Sequence, residues 1–447
     1  MGRRLIIWTG SLLAAWQAQP AAAESASGLS LSATERVRVE AISGQARTGS
    51  NHSDELLNFR TTVAAAYETG SVKLVAELWD SRAYGADRRS PISTNEVNTF
   101  ELVQVYAEVE LGPGLGQGSS SRLQFGRFML NIGSRRLVAA DDYRNTTNGY
   151  TGLRADWSTK SGWQAIAIYT LPQQRRPDDL DAVLDNEVGV DHEGLDLVLW
   201  GGLVSRARAI GPVALEASFF HLGEHDRPAR PTRDRSLDTV AIRILREPRA
   251  GRFDVEIEGI VQRGQASALV SPNAVRQDVR AWFLHADVGY TFAGAWQPRL
   301  SFDYDQASGD RPGGGYGRFD TLFGMRRADL APAGLYNAIA RTNLISPGVR
   351  IEAVPDKKTD WFVSYRPMWL ASRFDSFSST GVRDASGRSG RFAGHQLDGR
   401  IRYKLTSSLT LEADAVLLRK GRFLVEAPNA PVGRWTRYLS LNASASF

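Results

Sequence analysis

Residues 397–414 read LDGRIRYKLTSSLTLEAD. Leu397, Gly399, Ile401, Tyr403 and Leu405 share one parity, and Asp398, Arg400, Arg402 and Lys404 the other. The alternation resumes with Leu409, Leu411 and Ala413 against Thr410, Glu412 and Asp414. Successive side chains of a strand point to opposite faces, so each run predicts a strand with one apolar and one polar face. Earlier in the chain Leu57, Phe59, Thr61, Val63, Ala65 and Tyr67 oppose Asn58, Arg60, Thr62 and Glu68. Val103, Val105, Ala107, Val109 and Leu111 oppose Gln104, Tyr106, Glu108 and Glu110, and Phe253, Val255 and Ile257 oppose Asp254, Glu256 and Glu258.

One such strand fits a soluble sandwich as well as a membrane barrel; number and uniformity decide between them. The pattern fills about 420 residues without a linker or a convincing helical domain, whereas soluble all-β domains rarely pass about 250 residues before splitting. Short turns such as Glu68-Thr69-Gly70-Ser71 alternate with long polar stretches at 80–98, 173–192, 223–236 and 374–392. Short turns at one end and long loops at the other mark an outer-membrane barrel. The segment 178–188 has the composition of a short helix inside a loop, and the glycine clusters 112–118 and 313–317 read as turns. Aromatics near strand ends, among them Trp79, Tyr106, Trp157, Tyr169, Trp200, Tyr290, Trp296, Trp369 and Tyr438, suit a membrane–water interface.

Arg3 and Arg4 precede a largely apolar stretch from Leu5 to Ala18, and Ala21, Ala22 and Ala23 follow Pro20. This is the three-part pattern of a secretory signal peptide cleaved after Ala23. The apolar run is shorter than the roughly 20 residues that span a bilayer. The expected organisation is therefore a signal peptide at 1–23 and a single barrel domain at 24–447. No later segment reaches 18 consecutive apolar residues, which excludes helical spans but not strands of about 9–11 residues. With no cysteine, stability must come from backbone pairing and burial. Leu439, Leu441, Ala443, Ala445 and Phe447 alternate to the last residue, and a terminal aromatic closing such a strand resembles the assembly signal of bacterial outer-membrane proteins. The expected partners are accordingly outer-membrane lipid and the assembly machinery, and not nucleic acid.

Six of the 54 basic residues are lysines, leaving 48 arginines. Genome base composition accounts for such a bias; so does selection of a guanidinium fork, which suits carboxylates and phosphates. By parity Arg60, Arg154, Arg350, Arg400 and Arg402 point into the lumen, where guanidinium groups attract anions and repel cations. Asp156, Asp398, Glu412 and Asp414 share those faces, so pairing that merely fills the barrel is an alternative. The run His221-Leu222-Gly223-Glu224-His225 has inverted zinc-protease spacing, but a strand precedes it and Gly223 interrupts any helix. The glycine run at 112–116 is followed by a strand and so lacks the helix N-terminus of a phosphate loop. Asp303, Asp305 and Asp310 do not have EF-hand spacing, and calcium at this loop stays open. No catalytic residue, cofactor or metal set emerges.

The stretch 126–157, GRFMLNIGSRRLVAADDYRNTTNGYTGLRADW, is similar to the alginate export family of outer-membrane barrels in its Gly-Arg, Gly-Ser-Arg-Arg, Tyr-Arg-Asn and Gly-Leu-Arg pieces. Ala307-Ser308-Gly309-Asp310, Phe319 through Phe323, Asn343-Leu344-Ile345 with Val349-Arg350-Ile351, and Leu397 through Arg400 continue the resemblance in order. It implies a monomeric up-and-down antiparallel barrel of about 18 strands, with an electropositive constriction that passes an anionic polysaccharide. Arg60, Arg127, Arg154, Arg350 and Arg400 would carry that constriction, beside Asp156, Asp398 and Arg402. Alternation places Arg127 with Leu123 and Phe125 towards lipid, at a cost of roughly 2–4 kcal/mol at mid-membrane. A bulge at Gly126 that turns it inward, a position near the interface, and a role outside the pore remain alternatives. The expected function is an anion-selective outer-membrane channel. A general or small-anion porin and an outer-membrane barrel enzyme are the alternatives.

Overall fold

The computed structural model describes residues 28–447, except 114–115, 117, 142, 228–229, 273 and 326–329. The leader expected at 1–23 lies outside the described residues. In chain order the strands are β1 (Gly28–Ser43), β2 (Ser53–Thr69), β3 (Val72–Tyr84), β4 (Asn98–Gly112), β5 (Ser119–Met129), β6 (Gly149–Thr159), β7 (Trp163–Pro172), β8 (Leu197–Ile210) and β9 (Val213–Glu224). They continue with β10 (Ser236–Arg246), β11 (Arg252–Ser267), β12 (Arg276–Thr291), β13 (Arg299–Ala307), β14 (Leu344–Ala353), β15 (Thr359–Trp369), β16 (Phe392–Lys404), β17 (Leu409–Lys420) and β18 (Trp435–Ser446). Each pairs antiparallel with its chain neighbours, and β1 pairs with β18, so the described residues close an 18-stranded barrel. Closure leaves no strand edge unpaired, the condition for burying a sheet in hydrocarbon. Phe447 takes part: its amide donates to Ala33 O at 2.9 Å, and its carbonyl accepts from Ala33 at 3.2 Å.

Burial along the strands is inverted relative to a water-soluble protein. On β2, Val63 is 48% exposed while Asn58 is fully buried. The outward apolar parity is the lipid-facing surface, and the inward parity carries Arg38, Glu40, Thr239, Gln262 and Asp305, all buried. The connections at 70–71, 160–162, 211–212, 354–358 and 405–408 are short. Those at 85–97, 130–148, 173–196, 308–343 and 370–391 are long. The helix foreseen within 178–188 is α1 (Leu180–Leu184), capped by Asp179, whose carboxylate accepts from Ala182 N at 2.9 Å.

The glycine cluster 313–317 turns and bends, as expected, within the long connection 308–343. The described residues of that connection fold into the barrel and bury Phe319, Leu335, Tyr336, Ala338 and Ile339. Two expectations need correction. The inner face is not polar throughout: along β12, Ala281 and Phe283 precede His285 and Asp287 on the same parity. Inward-folded loops pack on this apolar zone at the long-loop end of the barrel. Finally, Trp79 and Tyr438 face inward and are buried, because Trp79 shares the parity of Glu77 and Tyr438 reaches Glu40 with its hydroxyl at 3.0 Å. Trp200 and Trp296 are exposed.

Candidate conducting pathway

The inner wall of β14–β16 groups four of the sequence-derived residues. Val349 and Ile351 point outward, so Arg350 between them points inward. Its guanidinium lies 3.8 Å from the centroid of Phe362, and Arg400 lies over the same ring at 5.3 Å. A ring face attracts cations, so one phenyl group holds two like charges in one place. Arg350 also bonds Glu352 at 2.8 Å. Asp360 receives Arg400 and, at 2.8 Å, Arg402. Asp398 accepts from Gln396 at 2.9 Å.

A second patch lies on β5 and β6. Arg154 binds Asp156 in a two-bond fork at 2.8 and 2.7 Å, and Arg122 approaches the same carboxylate at 3.8 Å and Glu108 at 3.4 Å. Arg60 sits on β2, directly across from Arg36, donates to the carbonyl of Arg144 at 3.2 Å and lies 4.6 Å over Trp79. The predicted lumen arginines thus form three separate patches rather than one ring.

Arg127 belongs to none of them. It pairs across strands with Val105, which is exposed on the outer face, and ends β5 on the long-loop side. Its guanidinium meets Glu101 at 2.6 Å and Glu193 at 2.8 Å and donates to Leu102 O at 2.8 Å, leaving the side chain 15% exposed. Gly126 does not turn it inward. Gly126 has φ +120° and a Cβ there would stand 2.4 Å from Val105 O, so that position requires glycine.

The described residues of 130–148 cross the lumen. At one end the carbonyls of Tyr143 and Arg144 accept from Arg36 at 3.2 and 2.6 Å, and Arg38 also donates to Tyr143 O. At the other end Arg136 reaches Glu256 and Glu258 on β11 at 2.5 and 2.6 Å. β1 and β11 stand on opposite sides of the barrel, so this segment is a strap across its width. Val138 bridges to Phe323 of the 308–343 connection, which tethers the two inward loops.

The wall of β11–β13, beside the β14–β16 patch, carries carboxylates: Asp254, Asp287, Asp303 and Asp305 face inward and meet Arg299, Arg366 and His285. Asp310 instead accepts from Gly317 N at 3.1 Å, away from the Asp303 and Asp305 pairs. His221 binds Asp238 at 2.7 Å across β9 and β10. The arginines that sequence reasoning missed include Arg36, Arg38, Arg122, Arg136, Arg299 and Arg366. Arg36 and Arg38 alternate with Val37 and Val39, so parity contains their signal; Arg136 sits in a connection, where parity carries none.

The alginate export family profile matches residues 27–436. No curated protein matches the chain. Among solved structures, the fold is similar to Pseudomonas aeruginosa OccD3 (OpdP), with a TM-score of 0.58 at 14% identity, covering 94% of this chain and 91% of that one. It is also similar to P. aeruginosa OccK2 (OpdF) solved with glucuronate (TM-score 0.57, 12% identity, 93% and 98% covered) and to P. aeruginosa OpdK solved with vanillate (0.57, 12%, 93% and 98%). At these identities the likeness is one of fold.

Proposed function

The chain belongs to the alginate export family, and on that premise we propose that this outer-membrane channel selects anions through its arginine-lined lumen and passes an anionic polysaccharide such as alginate, or related carboxylated solutes. The observation that carries the reading is the Arg350–Phe362–Arg400 stack on the inner wall. Two guanidinium groups held on one ring offer a passing carboxylate weak, repeated contact, which conduction requires, since tight binding would stop transport. Movement is passive, with no catalytic step and no bound cofactor.

A second reading is a porin for small anions. The strap at 130–148 and the inward connection at 308–343 narrow the lumen, which favours small solutes over a polymer. OccK2 and OpdK, of the same fold, were solved with the small carboxylates glucuronate and vanillate.

Planar-bilayer recording of the refolded chain separates these readings. Anion-selective reversal potentials with current blocked by oligouronates support polyanion passage. Anion-selective current indifferent to oligouronates supports the small-anion porin. Cation selectivity, or no current, overturns both. Arg350→Gln and Arg400→Gln are each expected to move the reversal potential towards that of a non-selective pore.

A further inference from the structure

At the long-loop end, segments from 85–97, 130–148, 173–196 and 308–343 converge on a cavity of about 380 Å³. Arg144 and Arg175 line it together with Asn95, Asn148 and Asn337. Two asparagine oxygens hold the arginines side by side. Asn95 Oδ1 accepts from Arg144 at 2.6 Å and from Arg175 at 3.1 Å; Asn148 Oδ1 accepts from Arg144 at 2.5 Å and from Arg175 at 2.8 Å. Arg175 further donates to the carbonyls of Thr94 at 2.8 Å and Thr147 at 3.0 Å.

Every one of these Arg175 bonds ends on a neutral oxygen, which fixes the guanidinium without cancelling its charge. Burial, and then the neighbouring Arg144, hold its pKa down at about 9. Among the described residues Asp141 lies 3.0 Å from Arg144 Nε, and Asp191, Asp141 and Glu96 act electrostatically on Arg175. Asp178 is turned to Arg176 and Arg230 at 2.5 and 2.8 Å. Glu96 is buried against Ser93, and burial, with Glu40 nearby, pushes its pKa up to about 7. The arrangement is a concave site with two adjacent guanidinium groups, of the size that takes a single small ligand.

We infer that this cavity binds the carboxylate of a sugar-acid-sized solute, or of one acidic sugar of a longer chain, on the Arg144–Arg175 pair. Beyond these bonds Arg175 keeps one N–H on Nη2 and Arg144 one on each Nη, donors that a carboxylate accepts. The site is built from loops and is separate from the wall arginines of β14 and β16. Its role as a capture point at the outer mouth rests on the channel reading; the binding itself does not.

The test is calorimetric titration of the refolded full chain in detergent with glucuronate, using glucose as the uncharged control. Glucuronate binds and glucose does not. Arg175→Gln weakens glucuronate binding at least tenfold. Arg175 also braces three loops, so Asn337→Asp provides a second variant. It keeps every arginine bond and places a competing carboxylate in the cavity, with the same tenfold loss expected. Arg88→Gln, an exposed residue paired with Asp181 outside the cavity, keeps wild-type affinity. Absent binding, or equal affinity in the wild type and both cavity variants, overturns the site. Parallel bilayer recordings keep the two ideas apart. Binding lost in both variants of a chain that shows no anion selectivity upholds the site and removes the channel reading. Anion-selective current without glucuronate binding does the reverse.

Discussion

Releasing the far anchor of the strap is the most informative perturbation of the lumen. Arg136 is 4% exposed and pairs with Glu256 and Glu258, while Ser134 adds one bond to Glu258 at 2.9 Å. Breaking a buried pair by removing one partner costs about 3–5 kcal/mol. The lower end applies to Arg136→Ala, because Glu256 retains Arg243 at 2.9 Å and Glu258 retains Ser134. About 3 kcal/mol shifts the equilibrium between a docked and a swung-away hairpin tip roughly 10²-fold, at a factor of ten per 1.4 kcal/mol. The opposite end stays bound through Arg36 and Arg38, so the strap moves without leaving the barrel. Single-channel recording reads this directly: Arg136→Ala is expected to show higher open-level occupancy and larger, noisier steps than the wild type. Arg136→Lys, with a point charge in place of the fork, falls between. Step size and occupancy identical to wild type in Arg136→Ala would refute the strap as the constriction.

Further consequences concern other parts of the molecule. Glu96 is buried in the 85–97 connection, near Glu40 and Arg47, with its pKa raised from 4.5 to about 7. A carboxyl whose folded pKa lies above its unfolded value stabilises below the unfolded pKa, and that contribution is lost as pH rises through the folded one. Loop packing therefore loosens between about pH 4.5 and 7, and Glu96→Gln is expected to flatten that dependence in limited proteolysis across the same range. Phe362→Ala removes the ring that holds Arg350 and Arg400, and its reversal potential is expected to shift towards that of Arg350→Gln although no charge is lost. Gly126→Ala drives a methyl group into Val105 O and is expected to cut the yield of heat-modifiable, folded barrel. Arg127→Ala leaves Glu101 and Glu193 without their shared cation near the membrane rim. It is expected to lower the urea midpoint of unfolding while leaving ion selectivity as in the wild type.

Much of the fold was legible in one dimension because a strand has a period of two and a bilayer imposes a single criterion on the outward parity. Leu397, Ile401 and Leu411, or Val63 and Tyr67, reveal their orientation without any knowledge of their neighbours. The same rule assigned Arg60, Arg154, Arg350, Arg400 and Arg402 to the inner wall and Arg127 to the outer one. Period-two reading stops where the strands stop. Arg136, Arg144 and Arg175 lie in connections, and their positions follow from where the loop backbone is tied rather than from parity. The 308–343 connection was invisible as an inward loop because its buried Leu335, Tyr336 and Ile339 have no strand alternation, and its burial partners are Phe283 and other wall residues distant in sequence. Sequence alone thus determined the closed barrel, its lipid-facing surface and the candidate wall charges, through local periodicity. Tertiary structure decided which charges neutralise one another, where the strap crosses and how Phe362 gathers two arginines, because these depend on residues tens to hundreds of positions apart meeting within a few ångströms.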